Sequence, residues 1–306
     1  MKGTKRMVAV LTTVALLVAV GLPAFAEGQA EGEMYIPVIS KGFQHQFWQT
    51  VADGSEDAAA EYGVEITFEG PPSEADIQAQ VQMLQNALAK GPSAIALAAL
   101  DTQAVTDQLQ EAIRRDIPVV GFDSGVYANA STDNYAAAGI AAEKMFEVIS
   151  RQFDSVSMDN PITVVVLSQD ATSTSVTRRG FGFRDRMIEL VVNETPLGRS
   201  DIRVQGNPAY VADDSPTSDN PAVILDMVVP ASPRTQDATS SANAVLNRVG
   251  DQNIQGIFLS NEGTVNGMLA ATNDGAELSS TTDDLTEIGC DAGTPPKTDG
   301  REGSFL

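Results

Sequence analysis

Ile117-Pro118-Val119-Val120-Gly121-Phe122-Asp123-Ser124-Gly125 reads as a buried apolar strand that stops abruptly on a carboxylate between glycines. The same cadence returns near the far end of the chain, in Leu285-Thr286-Glu287-Ile288-Gly289-Cys290-Asp291-Ala292-Gly293. Open α/β sheets bind ligands outside the carboxyl ends of their strands. Two such strands, one in each half of the chain, are expected to aim Asp123 and Asp291 into a shared crevice.

Outward from that strand, strand-like and helix-like patterns alternate. Upstream, residues 34–39 read as a strand, 47–62 as a helix ended by Gly63, and 66–68 as a short strand. Ile77, Val81, Leu84 and Leu88 then form a helical stripe halted by Lys90-Gly91-Pro92. A small apolar strand at 94–99 and a helix marked by Val105, Leu109 and Ile113 lead back to the opening stretch. This β-α-β-α-β-α-β order predicts an α/β fold with a parallel sheet.

Downstream the rhythm repeats, with a helix after Thr132-Asp133-Asn134, a β-branched run at 162–167, a helix over 176–192 and a strand at 202–204. Helices near 237–249 and 264–273 alternate with strands at 256–259 and up to Cys290. The stretch 205–234, rich in Pro, Asp and Ser, reads as an insertion or surface loop. A chain of 306 residues exceeds one ordinary domain. The expected division is a leader at 1–26, a linker at 27–33, an N-terminal lobe at 34–132 and a C-terminal lobe at 133–306.

The leader has the three parts of a secretory signal: basic Lys2, Lys5 and Arg6, an apolar run broken only by Thr12 and Thr13, and Ala24-Phe25-Ala26 as a cleavage site. An uncleaved membrane anchor is the competing reading of the same run. The only cysteine, Cys290, lies far from the cleavage site and offers neither a lipid attachment nor a disulfide. A periplasmic protein without a lipid anchor is therefore expected. The net charge of -22 argues against nucleic acid as a partner.

Chemistry-bearing residues cluster at the ends of strands. Ser40-Lys41-Gly42-Phe43-Gln44-His45-Gln46-Phe47-Trp48 gathers the only His and only Trp with two phenylalanines. A hydrophobic core accounts for Trp48 as well as a ligand does. Gln44, His45 and Gln46 beside rings better suit a ligand with an apolar face and hydroxyl edges. His45, with no second His or Cys nearby, is a poor metal ligand, and no metal or cofactor is expected.

Asp123 and Asp291 fit either turn-forming residues or a carboxylate pair, and a pair can serve binding or glycoside hydrolysis. With no G-x-S-x-G, H-E-x-x-H or Walker-type loop, binding is favoured over catalysis. Arg178-Arg179 opens a helix after a strand and supplies either a solvated face or forked donors to a ligand. Asn261-Glu262-Gly263 is another polar group just past a strand.

Taken in order, Tyr35-Ile36-Pro37-Val38-Ile39-Ser40, Gln46-Phe47-Trp48, Val120 to Gly125, Thr132-Asp133-Asn134, Arg178-Arg179-Gly180-Phe181, Ser260-Asn261-Glu262-Gly263 and Gly289 to Gly293 resemble the periplasmic sugar-binding proteins of ABC importers, of the ribose- and allose-binding type. The resemblance implies a type I periplasmic binding protein: two Rossmann-like lobes, each a parallel sheet flanked by helices, joined by a hinge. It implies a non-enzymatic monomer that delivers a monosaccharide to the permease subunits of a membrane transporter, with Phe47 and Trp48 stacking on the sugar. Asp123, Asp291 and Asn261 fall where the family bonds hydroxyls, His45 where it often has Asn, and the binding Arg on Arg178 or one residue away. Cys290 replaces the family's usual aromatic. Family members also run on for some tens of residues, so a truncated C-terminus is expected. A nucleoside receptor of the same fold and a secreted glycosidase using Asp123 and Asp291 are the alternatives, and a LacI-like regulator on this fold would need a helix-turn-helix and a basic face.

Overall fold

The computed structural model describes residues 34–274 and 285–290, so the expected leader 1–26, the linker 27–33 and Asp291 lie outside the described residues. The first lobe runs through β1 (Tyr35–Ile39), α1 (Gln46–Tyr62), β2 (Glu65–Glu69), α2 (Ile77–Ala89), β3 (Ile95–Leu97), α3 (Thr106–Arg114), β4 (Val119–Phe122) and β5 (Ala128–Ala130). Its five strands are parallel in the order β2-β1-β3-β4-β5. Leu84 and Leu88 from the α2 stripe meet Ile39, Ile95, Leu97 and Leu109 in its core.

The second lobe contains α4 (Asn134–Ile149), β6 (Ile162–Leu167), α5 (Thr174–Glu194), β7 (Ile202–Gly206), β8 (Val223–Val228), α6 (Thr235–Leu246), β9 (Ile254–Leu259), α7 (Glu262–Ala271) and β10 (Thr286–Gly289). Its sheet is also parallel, ordered β10-β9-β6-β8-β7. The central strand β6, Ile-Thr-Val-Val-Val-Leu, is buried at every position, as a parallel strand covered on both faces must be. On one face Met145, Phe146, Phe183 and Met187 from α4 and α5 pack on Val164 and Phe258, and the Phe183 and Phe258 rings stack at 4.3 Å. The two helices approach closely because Gly182 leaves room for the Tyr135 carbonyl, which a Cβ would meet at 2.1 Å. The chain leaves the first sheet after Ala130 and joins the second at Asn134, where Asp133 caps α4 by accepting from Ala136 N–H.

Two expectations are corrected. The stretch 205–234 is not a structureless insertion, because β8 within it pairs with β6 on one side and β7 on the other. Ala222-Val223-Ile224-Leu225 and Met227-Val228-Val229 supply the buried strand, and the Pro, Asp and Ser on either flank mask it when composition is averaged over the whole stretch. The three-residue β5 also went unread. It is an exposed edge strand with no apolar pattern to announce it.

One partly buried acid on β10 carries a pH dependence. Burial pushes the Glu287 carboxyl up to about 7, and its Oε1 has no hydrogen-bond partner among the described residues. The folded protein therefore holds this proton more tightly than the unfolded chain does. The associated stability is fully present below the unfolded value and is lost as pH rises toward 7. Glu287→Gln is expected to raise stability by about 3 kcal/mol at pH 8 and by little at pH 4. Urea melts of both proteins at the two pH values measure this.

Candidate functional site

The carboxyl ends of β1, β4, β6 and β9 converge with the N-termini of α1, α5 and α7 on one cleft between the lobes. Asp123 follows β4 and adopts a left-handed backbone with φ 45°. Aspartate tolerates that region better than most residues, and strain of this kind gathers at functional sites. The sharp turn depends on Gly121, where a Cβ would meet Val126 Cγ2 at 2.3 Å.

Both Asp123 oxygens are engaged, one within its own lobe and one from the second. Lys41, just past β1, donates to Oδ2 at 3.1 Å, and Asn134 Nδ2 donates to Oδ1 at 3.3 Å. Burial alone would push the Asp123 carboxyl up. The Lys41 ammonium and the Arg179 guanidinium, with hydrogen bonds from Lys41 and Ser175, outweigh burial and hold it below the usual carboxylate range. Lys41 also donates to Ser173 Oγ at 2.9 Å and Ser175 Oγ at 2.8 Å on the second lobe. Asp170 orders that loop by accepting from the N–H groups of Thr172 and Ser173.

Of the two adjacent arginines, Arg179 is buried in the cleft and Arg178 lies at its exposed edge, lining a 420 Å³ groove with Asp123, Asn134 and Thr174. Arg179 is buried and donates through Nε to Asn134 Oδ1 at 2.7 Å and through Nη1 to the Ser260 carbonyl at 3.0 Å. Arg178 is more than half exposed and pairs with the exposed Asp133 at 3.0 Å. A helix turns about 100° per residue, which sets the two guanidinium groups in different surroundings.

The aromatic loop sits on the opposite wall. His45 is the N-cap residue of α1 and is 6% exposed. Trp48 is 2% exposed, packs edge-on against Phe47 and Phe122, and donates Nε1–H to Glu74 Oε1 at 2.7 Å. Phe47 stays partly exposed at the rim. Glu74 accepts a second bond from Gln169 Nε2 of the other lobe at 2.6 Å, and Gln169 Oε1 accepts from Asn261 Nδ2. Asn261 caps α7 by accepting from Thr264 N–H.

The structure thus brings His45, Phe47, Trp48, Asp123 and Asn261 to the same cleft. Lys41, Glu74, Asn134, Gln169, Arg179 and Glu262 join them. All but Asn134 and Arg179 lie in the connection after a strand or in the first turn of the helix that follows it. Between the lobes these groups line a small cavity of 30 Å³, with Lys41, His45, Trp48, Glu74, Asp123 and Arg179 among its walls. It adjoins a 420 Å³ groove that shares Phe47, Asp123 and Arg179 and adds Val38, Val51 and Phe122. Charged hydrogen-bonding groups beside aromatic rings suit a small polar ligand with an apolar face. Among the described residues, no cluster of His, Cys, Asp and Glu has the arrangement of a metal site.

Comparison with known proteins gives this geometry its context. A solved structure from Brachyspira murdochii, named as an ABC transporter, LacI family transcriptional regulator, is 33% identical, with a TM-score of 0.66 over 86% of this chain and 79% of that one. An ABC transporter solute binding protein from Agrobacterium vitis, solved with bound D-fucose, is 27% identical, with a TM-score of 0.61 over 83% of this chain and 76% of that one. The D-allose-binding periplasmic protein of Escherichia coli is 29% identical over 102 residues, a segment covering 33% of this chain and only 32% of that protein. The periplasmic binding protein domain matches residues 36–294, two lobes and the cleft between them included, and the chain belongs to that family.

Proposed function

We propose that this protein is the substrate-binding component of an ABC transporter, capturing a monosaccharide in the interlobe cleft and handing it to membrane permease subunits. The observation that carries the reading is the linked set Asp123, Asn134, Arg179 and Ser260, which spans both lobes and faces the Phe47–Trp48 rings. Carboxylate, amide and guanidinium groups offer the acceptors and donors that vicinal hydroxyls need, and the rings offer an apolar face to a sugar. His45, Phe47, Asp123, Asn261 and, outside the described residues, Asp291 are assigned as ligand residues, with Trp48 backing Phe47 from the core. Arg179 takes the role first given to Arg178. A D-fucose-bound relative supports a monosaccharide as ligand.

The cavity beside Trp48 is far smaller than the few hundred Å³ usual for a ligand pocket, and a sugar seated there needs the lobes to part about the segment between Ala130 and Asn134. Export to the periplasm accords with the family and with the basic, apolar and A-x-A parts of the leader sequence. No helix among the described residues is long and apolar enough to cross a membrane. Hydrolysis would need a protonated carboxyl beside an ionised one, and Asp123, held below the usual carboxylate range, can fill only the ionised place.

Calorimetric titration against pentoses, hexoses and nucleosides is expected to give at least one monosaccharide binder without turnover. A folded protein silent across the panel rejects the proposal. A nucleoside as the sole binder redirects it to a nucleoside receptor.

A further inference from the structure

We propose that Glu262 is a positioning residue for ligand capture: a carboxylate on one lobe that caps the first helix of the other, holding the lobes together without touching the sugar. This rests on the reading of the cleft as a sugar site. Helix α1 does not provide for its own N-terminus. Its N-cap residue, His45, makes no capping hydrogen bond through its side chain, and its first turn contains no acid. The N–H groups of Gln46 and Phe47 donate instead to Glu262 Oε1 at 3.0 Å and Oε2 at 3.3 Å. Those are two of the donors that a helix leaves unpaired at its start.

Glu262 is also the first residue of α7. Two helix N-termini, one from each lobe, thus meet at a single carboxylate that is only 8% exposed. Each helix start carries the positive end of a dipole, and the two ends repel one another unless an anion lies between them. Charge is therefore needed here as well as hydrogen-bonding capacity. Both oxygens are committed to main-chain donors, which leaves sugar recognition to the Asp123, Asn134 and Arg179 side of the cleft.

A second crossing lies alongside. Glu74 of the first lobe accepts from Gln169 of the second. His45 is held between the two carboxylates, with Nε2 3.7 Å from Glu74 and Nδ1 4.0 Å from Glu262, and neither ring nitrogen makes a hydrogen bond among the described residues.

Two readouts test the proposal. Spin labels are placed on exposed helix positions, one per lobe, through Asp57→Cys and Gln236→Cys in a Cys290→Ser background, and interlobe distances are measured with and without sugar. Affinities for two sugars of the panel are measured in parallel. Glu262→Gln, which keeps the shape and removes the charge, is expected to shrink the short-distance population and weaken both sugars by the same factor, about tenfold. Glu262→Ala is expected to do more, and should it fail to fold, Glu262→Gln decides. An unchanged distance distribution overturns the proposal, and so does a loss confined to one sugar, which would mean direct contact. If the unaltered protein binds no sugar, the functional reading fails. The distances then decide the latch alone, a shift toward longer ones supporting it and no shift overturning it.

Discussion

Arg179→Ala is expected to lower sugar affinity by at least about 100-fold, while Arg178→Ala changes it by less than about threefold. Removing Arg179 takes the donor from Asn134 Oδ1 and the Ser260 carbonyl and removes one of two cations beside buried Asp123. Breaking one partner out of a buried charged network costs about 3–5 kcal/mol, and every 1.4 kcal/mol is tenfold in affinity. Arg178 has an exposed pair with Asp133 and lies over the Tyr135 ring at 5.9 Å, both screened by solvent. Arg179→Lys separates charge from shape, because lysine keeps the positive charge and loses the fork that serves two acceptors at once. Calorimetry on the three variants is sufficient. Equal losses for Arg178→Ala and Arg179→Ala would show that the helix does not present the two residues to different surroundings.

Trp48→Ala should destabilise the protein by about 3–5 kcal/mol and lower its melting temperature by about 10 °C, before any sugar is added. The indole is almost fully enclosed, sits between Phe47 and Phe122, and fixes Glu74 through its N–H. Trp48→Phe should cost less, since most of the packing survives, but it deprives Glu74 Oε1 of its donor. Thermal melts of the sugar-free proteins decide between the two uses of this ring that the sequence allowed. A drop of less than about 3 °C for Trp48→Ala would make Trp48 a platform for ligand rather than a member of the core.

The sequence was legible wherever a pattern was local. The helical stripe of Ile77, Val81, Leu84 and Leu88 and the unbroken β-branched run of β6 announce their elements because burial selects side chains at a fixed period. Asp123 stood out for a related reason, as a carboxylate placed just where an apolar strand ends. What stayed hidden depends on partners distant in sequence. β8 looks like part of a loop until it is known to lie between β6 and β7. Glu74 follows two prolines in an unremarkable connection, and only the fold brings it to Trp48 on one lobe and Gln169 on the other. The choice between Arg178 and Arg179 needs the start of α5 to within one residue, and helix boundaries read from sequence are looser than that.

The two sheets differ in how soon the growing chain can complete them. In the first, β1 pairs with β2 and β3, β4 pairs with β3 and β5, and every partner has been made before Asn134. In the second, β6 must wait for β8 and β9, so Leu167 finds its neighbours only at Val228 and Leu259. Contacts so far apart form slowly, and chains are synthesised from the N-terminus at about 5–20 residues per second. During that wait Ile162–Leu167 is an uncharged, β-branched segment with both edges open, the kind of strand that pairs with copies of itself. The interval in which β6 exists without β9 is therefore the time of greatest aggregation hazard for the newborn chain, and charge placed near Ile162 is expected to shorten its consequences more than any change in the first lobe.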